Sequence, residues 1–290
     1  MKKLTVMALI ACLAFSAVAC GSSTTETTDD SAAAAEETTE APAEEESADA
    51  AEEEAEASDT AASSDKTWVI AMDTVFRPFE FTDENGDFVG IDVDILNAVA
   101  ADQGFNIEIQ SLGWDAAVAA VQAGQADALM AGASITEERQ ASGWIFSDSY
   151  YDSSQIFTVK GDSDIASFDD LEGKTVAVKN GTEGAKFANS LMEEYGFNVD
   201  VYEDSPTMYQ AVVLGQADAC VEDKPIMADS IKTGGLDLKV VEGMESEAAP
   251  YGMAIMNEAN QELLDMFNAG LADIKADGTY DEIIATYLGE

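Results

Sequence analysis

The sequence predicts an α/β fold built as two similar lobes, and three observations predict it. Between residues 66 and 290, short β-rich runs alternate with helical stretches, the order that makes mainly parallel sheets flanked by helices. The helical stretches close on glycine, as "DILNAVAADQG" (94–104) and "GAKFANSLMEEYG" (184–196) do. Third, a Gly-Gln-Ala-Asp-Ala core occurs twice, in "VQAGQADALMAG" (121–132) and "VVLGQADACVED" (212–223), 91 residues apart. In both copies a helix ends at the glycine (Gly124, Gly215) and a strand follows, which places Gly132 and Asp223 at equivalent strand ends.

In chain order, residues 1–20 read as an export signal. Lys2 and Lys3 precede a nearly unbroken apolar run, too short for a spanning helix, that ends in "AVAC" before Gly21. Residues 21–65 are Ala-, Glu-, Thr- and Ser-rich and carry 16 acidic residues, no basic residue and no aromatic residue. Such a segment cannot offset its chain entropy by burial and is expected to be a disordered, self-repelling tether, spanning about 37 Å as an ideal coil.

The remainder carries 42 acidic and 11 basic residues within a chain of net charge −45, which argues against nucleic acid as a partner. Strands are expected at 67–73, 106–112, 126–132, 155–160, 175–179, 199–204, 217–223 and 236–242, with a hairpin turn at Asn85-Gly86 and two final helices broken at Gly278. "DENGDFVGIDVD" (83–94) fails as a calcium loop, because Phe88 stands at the glycine position and Asp94 at the final Glu. The chain has no histidine, hence no usual general base and no commonest metal ligand. No metal and no cofactor are expected. Cys12 and Cys20 fall in the signal, which leaves Cys220 as a buried structural thiol.

In open parallel sheets ligands bind beyond the carboxyl ends of the strands, so two facing lobes would share one cleft. Arg139, one of two arginines, follows "Ser134-Ile135-Thr136", where Thr136 is the expected N-cap of a helix opening on Glu137 and Glu138. Its guanidinium suits a carboxylate; the plain alternative is a surface pair with a neighbouring acid. Lys179 to Thr182 form a strand-to-helix turn with free amides on the opposite side. Asp223 could accept from an ammonium or cap a helix beginning near Pro225. Phe76, in "DTVFRPFEF", and Trp114 offer aromatic faces at the rim, whereas Phe79 and Phe81 read as core. An anion clamp, a cation acceptor and aromatic faces describe an α-amino acid.

At these residues the sequence resembles the solute-binding proteins of ABC importers for polar amino acids, with glutamine-binding and lysine/arginine/ornithine-binding proteins as types. The resemblance rests on "DTVFRPFEFTDENGDFVGIDVDI", "ADALMAGASITEERQASGWIFSDSYY", "GKTVAVKNGT", "ADACVEDKP" and "DGTYDEI" and spans residues 66–290. It implies a type II periplasmic-binding-protein-like fold, with residues 66–157 and 251–290 in lobe 1, residues 158–250 in lobe 2, and crossing hinge strands near "IFTVK" and "YGMAIM". It implies that Arg139 pairs with the ligand carboxylate, assisted by Ser134 and the amides of Thr136 and Thr182. Gly132 and Asp223 would take the ammonium, Phe76 and Trp114 would sandwich the side chain, and Asp73 and Lys179 would lie near its tip. Glu183 departs from the pattern and must point away; Glu222 bears on specificity. The "AVAC" end resembles a lipobox, with Cys20 lipidated and the protein anchored outside the cell membrane as a monomer serving a permease. The alternatives are an extracytoplasmic enzyme of the same fold, similar to cyclohexadienyl or arogenate dehydratases, and a soluble amino-acid sensor.

Overall fold

The computed structural model describes residues 66–289. The signal (1–20), Cys20 and the tether (21–65) lie outside the described residues. In chain order the first half contains β1 (Thr67–Met72), the hairpin β2 (Phe81–Thr82) and β3 (Phe88–Val89), α1 (Ile91–Gln103), β4 (Asn106–Ser111), α2 (Trp114–Gln122), β5 (Ala128–Leu129), α3 (Glu137–Ala141), β6 (Ile145–Phe146) and β7 (Tyr151–Ser153). There follow β8 (Gln155–Lys160), β9 (Thr175–Lys179), α4 (Glu183–Tyr195), β10 (Asn198–Tyr202), α5 (Ser205–Val213), β11 (Ala219–Asp223), α6 (Lys224–Lys232) and β12 (Leu238–Glu245). The chain then returns through β13 (Ala249–Tyr251) and β14 (Ala254–Ile255) to α7 (Gln261–Asp277) and α8 (Thr279–Leu288).

Two five-stranded sheets result, in the orders β4-β1-β5-β14-β6 and β10-β9-β11-β8-β12. In each, three strands run parallel, and the fourth and fifth pair antiparallel. The sheets are therefore mixed but mainly parallel, as expected: only the fourth strand in each order runs against the other four, because the chain enters it directly from the crossover instead of from a helix. That crossover is the antiparallel pair β7–β13, in the register Ala249↔Ser153 to Tyr251↔Tyr151. The crossover pair lies beside the expected stretches: "IFTVK" follows it within β8 of the second sheet, and "YGMAIM" opens on its Tyr251. The expected strand at 126–132 shortens to Ala128–Leu129, although the Met130 N–H still donates to the Ala71 carbonyl of β1 (3.0 Å).

Side-chain alternation explains the layering. Trp68, Ile70 and Met72 of β1 pack with Ile95, Leu96 and Val99 of α1 and Phe267 and Leu271 of α7. Ala71 faces the other way, against Ala117 and Val121 of α2. In the second sheet Val176 and Val178 meet Ala188 of α4, whereas Ala177 and Cys220 meet Met208 and Val212 of α5. Each buried Val, Leu, Ile, Phe or Met side chain among these contributes about 1.5–3 kcal/mol of transfer free energy.

The repeated Gly-Gln-Ala-Asp core makes one connection twice. Gly124 and Gly215 close α2 and α5 at φ 68° and 72°, a left-handed conformation that disfavours a side chain. Asp127 then donates its amide to the Val69 carbonyl (2.8 Å) and accepts the Val69 N–H on Oδ2 (2.9 Å). Asp218 does the same with Thr175, again at 2.8 and 2.9 Å. The aspartate therefore fastens each helix–strand turn to the second strand of its sheet's order, β1 in one and β9 in the other.

Candidate functional site

The carboxyl ends of β1, β5, β9 and β11 converge on one cavity. It is lined by Asp73, Phe76, Trp114, Ala131, Gly132, Ser134, Arg139, Lys179, Thr182, Glu183 and Asp223. Nine of the ten residues assigned to the ligand from sequence are brought together here. The tenth, Thr136, is the N-cap of α3, where its hydroxyl accepts the Arg139 N–H at 3.3 Å. The cavity measures about 20 Å³, room for a single water molecule and not for an amino acid.

Arg139 is 6 % exposed. Its Nη1 donates to the Ser134 carbonyl (2.9 Å), and its guanidinium lies 5.2 Å from the Trp114 ring and 5.1 Å from the Trp144 ring. Burial pulls its pKa down, while Glu183, Asp223 and Glu138 oppose that shift. The expectation that Glu183 points away is overturned: its Oε1 lies 3.5 Å from Arg139 Nε and 3.0 Å from Lys186 Nζ. A guanidinium taken out of water needs an anion beside it, and the first turn of α4 delivers one.

Asp223 is buried, and its side chain makes no capping bond to α6, which disposes of the helix-cap alternative. It accepts instead from Ser153 Oγ (3.1 Å), Gln155 Nε2 (2.7 Å) and the Tyr251 hydroxyl. Burial, with the neighbouring Glu222, pushes its pKa up to about 7 against the lowering effect of those bonds. An arriving ammonium would favour the charged form. Glu222 points to the other face of β11, accepting from Ser205 Oγ (2.6 Å) and the Tyr209 hydroxyl (2.8 Å).

At the far end Asp73 and Lys179 form an ion pair between the lobes, each about 4 % exposed. Burial lowers the Lys179 pKa, but Asp73, Glu222 and Glu80 outweigh it and leave the ammonium above its ordinary value. The Lys179 ammonium sits 5.5 Å from the Phe76 ring. Gly132 has φ 55°, and a Cβ there would overlap Phe76, so backbone and ring meet directly. Trp114 Nε1 donates across the cleft to the Gly181 carbonyl (3.2 Å). Thr182 caps α4, accepting from the Ala185 amide at 3.2 Å. The Ser134 loop is fastened to the hinge: Ile135 N–H donates to the Pro250 carbonyl (2.7 Å), and Gly252 N–H to the Ala133 carbonyl (3.0 Å).

Sequence reasoning missed Trp144, which a backbone bond from its amide to the Arg139 carbonyl (3.0 Å) folds back onto the guanidinium. It also missed Tyr251, Ser153 and Gln155, the donors to Asp223; their only signal is position, beside the crossover strands.

The profile of the family described as "Bacterial extracellular solute-binding proteins, family 3" matches residues 68–290. An arginine-binding periplasmic protein of Mannheimia haemolytica is 33 % identical over 223 residues, covering 76 % of this chain and 91 % of that one. A probable histidine-binding protein of Neisseria gonorrhoeae is 30 % identical over 238 residues, covering 81 % and 87 %. Among solved structures, the arginine-, lysine-, histidine-binding protein ArtJ of Geobacillus stearothermophilus superposes with a TM-score of 0.71 at 30 % identity, covering 78 % and 96 %. With the two lobes, the crossover strands and the cleft in place, the chain belongs to the bacterial extracellular solute-binding proteins, family 3, of the type II periplasmic-binding-protein fold.

Proposed function

We propose that the protein captures a polar α-amino acid between its lobes and, by closing on it, presents it to the membrane permease of an ABC importer. Arg139 takes the carboxylate; Asp223 and the Gly132 turn take the ammonium; Phe76 and Trp114 flank the side chain. The observation that carries this reading is that Arg139 and Asp223, from opposite lobes, line the same cavity. Contacts supplied by both lobes are complete only in the closed form, so the ligand selects closure.

The tip of the site favours a carboxamide. Asp73 offers an acceptor and Lys179 a donor from one ion pair. A guanidinium would meet the Lys179 ammonium and a carboxylate would meet Asp73, whereas the glutamine amide satisfies both. Binding rather than catalysis fits the acidic pairs: Glu222 turns to Tyr209 while Asp223 faces the cavity, so the two carboxyls do not converge on one substrate. On this reading Cys20 carries the lipid, the segment 21–65 spaces the domain from the outer face of the membrane, and the protein works as a monomer.

A melting-temperature screen of the twenty amino acids, followed by calorimetry and a turnover assay, tests this. L-Glutamine is expected to give the largest upward shift, and Arg139→Ala to cost about 3–5 kcal/mol of affinity. No shift with any amino acid, or an Arg139→Ala loss under tenfold, overturns the reading.

A further inference from the structure

Behind the Gly132 turn, outside the cavity lining, two acidic side chains are wholly buried together. Glu80 follows Phe79 in the turn after β1, and Asp92 lies in the first turn of α1; both are 0 % exposed. The Asp92 N–H donates to the Phe79 carbonyl (2.9 Å), which brings the two acidic residues side by side, and each carboxyl acts on the protonation of the other. Asp92 Oδ2 accepts the Gly132 N–H (2.9 Å) and the Tyr150 hydroxyl (2.9 Å). Neither oxygen of Glu80, nor Oδ1 of Asp92, has any donor.

Two adjacent ionised carboxylates in that position would leave three buried oxygens unsatisfied and two like charges in contact, a cost of several kcal/mol for each ion. One proton removes both problems. It turns one Glu80 oxygen into a donor, Asp92 Oδ1 into its acceptor, and the pair into a single negative charge. Asp92 is the better seat for that charge because it alone receives the Gly132 and Tyr150 bonds. The other charged groups acting on Glu80 are Asp73, which favours keeping the proton, and Lys179, which opposes it. Tyr150 and the Gly132 amide are the remaining groups on Asp92.

We propose that Glu80 is a positioning residue of the binding site: as a neutral carboxylic acid it donates to Asp92 and so holds the Gly132 turn at the floor of the cavity. The charge on Asp92 draws the Gly132 N–H inward, fixing the left-handed turn whose backbone faces the ligand ammonium. The idea rests on the amino-acid reading above for its effect on affinity, and on the buried pair alone for its effect on the turn. Burial and Asp92 hold the Glu80 pKa well above the usual carboxylate range, and burial pushes Asp92 up to about 7. A raised folded-state pKa contributes stability that is full below the unfolded value and is lost as pH rises through the folded one. The pair should therefore weaken on the alkaline side.

Three measurements on the chain test it, using Glu80→Gln, which keeps a donor without a titratable proton, and Glu80→Leu, which has similar bulk and no donor. The wild type at pH 7 should show an infrared carbonyl band of a neutral carboxylic acid that Glu80→Gln lacks, read as the difference between the two spectra because Asp223 absorbs alike in both. Exchange of the Gly132 amide proton should be unchanged in Glu80→Gln and at least tenfold faster in Glu80→Leu. Between pH 7 and 9 the wild type should lose at least threefold more affinity for L-glutamine than Glu80→Gln, since Asp223 and the ligand's own amine titrate alike in both. Absence of the infrared band, or equal Gly132 exchange in all three proteins, overturns the proposal. If L-glutamine fails to bind while the band and the exchange pattern hold, the amino-acid reading falls and the positioning of the turn by Glu80 stands.

Discussion

Arg139 is held from four directions, by the Ser134 carbonyl, Glu183, Trp114 and Trp144. Three of these contacts fix its aim; Glu183 instead competes with any ligand carboxylate for the same guanidinium. Its side chain is 20 % exposed, so the pair is partly screened and contributes about 1 kcal/mol. Glu183→Ala should therefore tighten the binding of a neutral amino acid by roughly fivefold, read by calorimetry. Unchanged or weaker binding would show that Glu183 helps rather than competes. The place of Arg139 in the cavity wall was legible because a basic residue is rare in so acidic a chain. Glu183 was not legible, because its direction depends on how α4 docks across the cleft. Glu80 was hidden for a similar reason: it stands between Phe79 and Phe81, which read as core, and nothing local shows that Asp92 and the Gly132 turn close over it.

Among the elements, the twin turns around Asp127 and Asp218 offer a controlled comparison. Each aspartate accepts a strand N–H at 2.9 Å after a left-handed glycine, in a different sheet. Removing the acceptor leaves a partly buried donor unsatisfied, at about 1–2 kcal/mol. Asp127→Ala and Asp218→Ala should each lower the urea midpoint by that equivalent with an unchanged slope, and the two losses should add. A large difference between them would mean that the repeated sequence does unequal work. These turns, α1, α4 and the final pair of helices were legible in the sequence because apolar spacing and a terminal glycine are local signals. In the first sheet β14 and β6 were not, since β14 spans only Ala254–Ile255 and owes its place to neighbours distant in sequence, whereas β8 and β12 of the second sheet were expected as strands.

In the whole molecule, scarce cations gather at the boundary between lobes. Both arginines cross it, Arg77 to Asp229 (2.8 Å) and Arg139 to Glu183 (3.5 Å), and so do Lys179 to Asp73 and Lys186 to Glu138 (2.9 Å). With 42 acidic residues in this part of the chain the lobes repel each other, and these pairs act against that repulsion. Arg77 stands outside the cavity and is 40 % exposed at its side chain, so Arg77→Gln should shift the protein toward an open form and weaken ligand binding only about threefold. Small-angle scattering should then give a larger radius of gyration, and an unchanged radius would remove Arg77–Asp229 from the closure mechanism.

A chamber of about 20 Å³ also sets the order of events in time. Since the empty cleft has no room for an amino acid, the pairs that cross it must part before a guest can enter. Entry must wait for the jaws to separate by themselves, at a frequency belonging to the protein and indifferent to how crowded the surroundings are with candidates.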